Sequence, residues 1–67
     1  MKVRYDKDVD AMYINLDSGE YEVSEEVGDG VVLDVSKDGK IIGIEILDAS
    51  EKISKGLLQR LILEKHN

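Results

Sequence analysis

The spacing of apolar residues changes once along this chain, and that change limits what it can fold into. Up to Leu47 apolar and polar residues alternate; after Ser50 the apolar ones recur at three- and four-residue intervals. The first pattern fits strands with one buried face, and the second fits one side of a helix. A run of strands followed by a helix defines an α+β domain. Five alternating sets stand out: Val3 and Tyr5; Met12, Ile14 and Leu16; Tyr21, Val23 and Val27; Val31, Leu33 and Val35; Ile42, Ile44 and Ile46. Turn-forming runs separate them, among them Asp17-Ser18-Gly19, Gly28-Asp29-Gly30 and Lys37-Asp38-Gly39-Lys40. We expect a single domain across residues 1–67: a five-stranded antiparallel β-meander over 1–47, an α-helix packed on one face over 50–64, and a tail at 65–67.

Directly opposed residues of an antiparallel pair point to the same face. Matching Val31, Leu33 and Val35 with Ile42, Ile44 and Ile46 therefore calls for a loop with an even residue count, either Asp38-Gly39 or Lys37 to Lys40. On the opposite face the alternation leaves Arg4, Asn15, Glu22, Ser24, Asp34 and Glu45, with Tyr13, Val32 and Leu47 as its apolar members. Tyr5 and Tyr21 share the core parity. Tyr13 does not, which makes it a candidate contact residue.

Two serines are N-cap candidates for the helix, Ser50 and Ser54. Gly56, between them and the leucines, weakens a helix by roughly 1 kcal/mol against alanine. Either one helix starts near Glu51, or a short turn precedes a main helix from about Lys55. Ile53, Leu57, Leu58, Leu61 and Ile62 make the apolar stripe, and Leu63 falls on the polar side. One sheet face needs a stripe only a little over 100° wide, so part of this surface is spare. Leu58, Ile62 and Leu63, with Tyr13, are the expected interface residues.

At 67 residues the core is marginal, since a chain this short buries only about 60% of its unfolded surface. Disulfides, metals or oligomers are the usual remedies. The chain has no cysteine and one histidine, His66, so disulfides and zinc–thiolate sites are excluded and oligomerisation remains. A homodimer or other homo-oligomer is expected. Fifteen acidic residues against nine basic ones give a net charge of −6. That charge disfavours direct nucleic-acid binding, which draws its affinity from Lys and Arg. It suits a small basic protein partner. No apolar run approaches the ~20 residues of a membrane span. MKVRYDKD has no signal-peptide core, so we expect a cytoplasmic protein without membrane contact.

The sharpest chemical pattern is Asp6, Asp8 and Asp10 at alternate positions. A calcium loop starting at Asp6 would need glycine at its sixth position and a bidentate Glu at its twelfth. Ala11 and Asp17 stand there. We expect no metal, with Asp6 and Asp10 bonding nearby backbone amides instead. Gly28-Asp29-Gly30 and Asp38-Gly39 precede strands, whereas phosphate loops precede helices. Asp34 and Glu45 form a carboxylate pair without a second functional group, so no catalytic residue and no cofactor are assigned.

Two stretches, Tyr5-Asp6-x-x-x-Asp10-Ala11-x-Tyr13-Ile14 and Gly43 to Ser50 (GIEILDAS), resemble the family called domain of unknown function 2283. The resemblance covers residues 1 to about 50. It implies a small prokaryotic protein with no assigned activity. Some members lie beside toxin-like genes, which would imply an antitoxin role. The expected function is a non-enzymatic protein-interaction module acting as a homo-oligomer or with a small protein partner. The rivals are an antitoxin-like inhibitor of a basic ribonuclease-type toxin, and a small-molecule binder or enzyme with a composite site at a dimer interface.

Overall fold

A computed structural model describes residues 1–64, with the side chains of Tyr21, Glu22, Leu63 and Glu64 excepted. The tail expected at 65–67 and His66 lie outside the described residues. Five strands, β1 (Lys2–Asp6), β2 (Ala11–Asn15), β3 (Tyr21–Gly28), β4 (Val31–Ser36) and β5 (Ile41–Leu47), precede two helices, α1 (Ala49–Lys52) and α2 (Lys55–Glu64). The fold is the expected antiparallel sheet followed by helix. Its spatial order is β1-β2-β5-β4-β3. The β1–β2 hairpin and the β3–β4–β5 meander thus join through β2 and β5, leaving β1 and β3 as edges.

The even loop is corrected. The turn after β4 has three residues, Lys37 to Gly39, closed by Gly39 N–H to Ser36 C=O at 2.9 Å and Ser36 N–H to Lys40 C=O at 2.8 Å. Gly39 takes φ +85°, the left-handed residue such a turn requires. An odd loop alone would turn the isoleucines to the wrong face. A register shift between Asp34 and Val35 restores them: Val35 pairs with Ile41, not Ile42, while Leu33 still faces Ile44 and Val31 faces Ile46. The inserted residue, Ile42, is buried, and its carbonyl accepts the amides of Leu16 and Asp17.

The helical region takes the second of its two expected forms. Ile53 is extended (φ −115°, ψ 134°) and separates α1 from α2. Ser54 caps α2 through its Oγ, which accepts the Leu57 amide at 3.3 Å. Ser50 caps nothing; it is inside α1, whose N-cap position is Asp48 in the left-handed region. Val3, Met12 and Ala49 form the buried cluster, and Tyr5, Ile14, Ile46, Ile53, Leu58, Leu61 and Ile62 pack around it. The helices therefore cover the β1–β2 side. Val23 and Val27, expected in the core, are 47% and 57% exposed, because neither α1 nor α2 lies over β3 among the described residues and because register shifts interrupt that strand on either side of its middle.

Candidate functional site

Two polar constellations tie distant parts of the chain together. The first starts at Asp10, whose backbone is left-handed (φ 54°) at the end of the β1–β2 turn. That twist aims its carboxylate at α1. It accepts the Ser50 amide at 3.0 Å, the Ser50 hydroxyl at 2.6 Å and the Tyr5 hydroxyl at 2.7 Å. The Asp10 carbonyl accepts the Ala49 amide at 2.9 Å. Asp10 thus serves α1 as a cap from 40 residues away. The Ser50 hydroxyl, then Tyr5, hold its carboxyl below the usual range. The same bond to Asp10 raises the Tyr5 phenol.

Of the three alternating aspartates, Asp10 is committed to this tie. Asp6 Oδ1 accepts the Asp8 amide at 3.0 Å, the local turn bond expected of it. The amide partner expected near Asp10 in sequence is instead Ser50. No group of three or more metal-ligating side chains occurs among the described residues.

The second constellation crosses the face that the helices leave open. Tyr13 stands on β2 opposite Glu45, and its ring leans over Gly43 of β5 to reach β4. There its hydroxyl donates to Asp34 Oδ2 at 3.0 Å, and Ser24 of β3 donates to Asp34 Oδ1 at 2.7 Å. Arg4 of β1 lies over the ring, 5.2 Å from its centroid, a cation–π contact. The row Arg4–Tyr13–Asp34–Ser24 so connects all five strands, with Gly43 as the gap it passes over. Desolvation, then the bond to Asp34, raises the Tyr13 phenol, keeping it a neutral donor. Asp34 accepts two hydroxyls, one on each oxygen, and so acts as a structural acceptor that joins β2 and β3 to β4.

Beside this row lies an open groove of about 690 Å³ walled by Arg4, Asp6, Lys7, Val9, Tyr13 and Glu45. It joins the expected contact residue Tyr13 to charges of both signs. Leu58 and Ile62 lie on the other side of the sheet, half-buried against the chain's own core. The helix's exposed apolar side chain there is Leu57, 47% accessible. The side chain of Leu63 is outside the described residues. Sequence reasoning missed the Tyr13–Asp34 bridge. The available signal was Gly43, since a glycine inside a strand marks a close approach.

The fold and these two ties define a small α+β module, a five-stranded sheet with a C-terminal helix on one face. The chain belongs to the family described as "Protein of unknown function (DUF2283)", whose model matches residues 2–50. The matched stretch contains both ties and ends at Ser50. No curated protein and no solved structure matches the chain significantly.

Proposed function

We propose that this chain is a cytoplasmic, non-enzymatic interaction module that works as a homodimer. The observation that carries the reading is the uncovered apolar surface on the helix side of the sheet. Val23 and Ile41 are 47% and 48% exposed, and Val35 pairs with both of them. Leu57 of α2 adds a further exposed apolar side chain. A monomer rarely keeps a contiguous apolar patch beyond a few hundred Å². A chain without cysteine has self-association as its readiest additional source of stability. Sedimentation of the full chain at tens of micromolar is expected to give a species of twice the 7.5 kDa chain mass. A single species at the chain mass would overturn the reading.

A second reading has its own support. The edge strand β3 carries Glu22, Glu25 and Glu26, with Glu20 before it and Asp29 after it. A small basic protein, including a toxin of the ribonuclease type, would be steered to that edge. Its association rate should fall steeply as salt rises past physiological strength. A rate unchanged by salt would remove this reading.

A further inference from the structure

We infer that the bare half of the sheet in each copy is covered by helix α2 of a second copy, reciprocally, so that two chains close with their helices side by side between two sheets. This rests on the homodimer reading and adds which surfaces meet. The first support is width. Five strands about 4.8 Å apart span roughly 19 Å, whereas one helix with its side chains is about 10 Å across. The chain's own α2 packs on β1 and the buried cluster of Val3, Met12 and Ala49. It leaves room over β4 and β3 for one more helix. Two helices side by side at the usual 8–10 Å fill the sheet.

The second support is the apolar match. The bare strip presents Val23, Leu33, Val35 and Ile41, all on the helix side by register. Leu57 does not join the core cluster, although Leu58, Leu61 and Ile62 do. The third is charge. Glu25 opposes Leu33 and so points to the helix side at the β3 edge. Among the residues of α2 before Glu64 the only charges are Lys55 and Arg60. At about 100° per residue, Arg60 lies about 60° from Leu57, on the flank away from Leu58. A second copy supplies a helix of the right width, with an unused leucine and a cation beside it. It is also present whenever the chain is.

The test is the dimer dissociation constant by sedimentation, with circular dichroism confirming the fold of each variant. Leu57→Glu and Val23→Glu, both at exposed positions, should each weaken the dimer at least tenfold. Leu47→Glu, an exposed site on the opposite face, should change it less than twofold. Glu25→Lys and Arg60→Glu should each weaken it, and the two combined should restore it. A wild-type dimer indifferent to Leu57→Glu and Val23→Glu would overturn this arrangement while leaving the homodimer reading intact. A wild-type monomer would remove both.

Discussion

Gly43→Ala should destabilise the protein by about 2–3 kcal/mol, the upper part of the range of roughly 1–3 kcal/mol for forcing extra atoms into a filled site. For a domain of this size that is a fall of roughly 4–8 °C in Tm for each kcal/mol. The cause is local. A Cβ at this position would overlap the Tyr13 phenol, with the ring carbon Cζ only 2.8 Å away. The ring cannot move aside without giving up its bond to Asp34 and its contact with Arg4. The Tyr13→Ala background isolates the effect. With the ring gone the three closest contacts of that Cβ are removed, and alanine on a strand is better than glycine by roughly 0.5–1 kcal/mol. The same substitution should therefore reverse sign. Urea titrations of the four proteins measure this coupling. An equal loss in both backgrounds would show that the glycine is needed for something other than the ring.

This pair also shows what was legible in the sequence. Alternation assigned Tyr13 to the open face correctly, because parity is a local property of each strand. It did not show that the ring crosses one strand to reach another. That depends on β2 lying beside β5, a choice made by long-range pairing. The expectation of an even loop failed at Lys37 to Gly39 for a related reason. Parity counted along the chain assumes unbroken strands, and the shift at Val35 and Ile41 breaks one. Val23 and Val27 followed the core pattern but lack a covering element among the described residues. A periodic pattern reports which face is apolar, not what covers it. Of the two cap candidates, Ser54 caps α2 and Ser50 was misread for the same reason. Ser50 is a favourable cap by type, but its hydroxyl and amide are taken by Asp10, 40 residues away in sequence and brought beside it by the pairing of β2 with β5.

Asp10 offers the second large effect, and its variants should rank in a definite order. Wild type should be most stable, then Asp10→Asn, then Asp10→Gly, then Asp10→Ala. Asparagine tolerates the left-handed backbone and keeps one carbonyl acceptor. Glycine relieves the backbone but leaves the hydroxyls of Tyr5 and Ser50 and the Ser50 amide without their shared partner. Alanine has neither the acceptor nor ease at φ 54°. Alanine as stable as asparagine would mean that the tie contributes nothing. The pH dependence gives a second check, and its sign follows from the direction of each shift. The Asp10 carboxyl sits below its ordinary value of 3.8, so its contribution is fully present above that value. It is lost as the pH falls from there through the folded-state value, when the carboxylate takes up a proton. The Tyr5 phenol is raised above its ordinary 10.0, so its share is present below pH 10.0 and lost as pH rises through the folded value. Between those limits the tie is intact. Urea midpoints measured from pH 2.5 to 7 (a range chosen to bracket about 3.8, the usual carboxylate region) should fall more steeply at the acid end for wild type than for Asp10→Asn. Two parallel curves would mean that the carboxylate charge has no part in the tie. If the acid-end difference is seen and Tyr5→Phe reduces it, then the hairpin turn and the start of α1 are held by one ionised group. The sheet and the helix would then separate together when that group is neutralised.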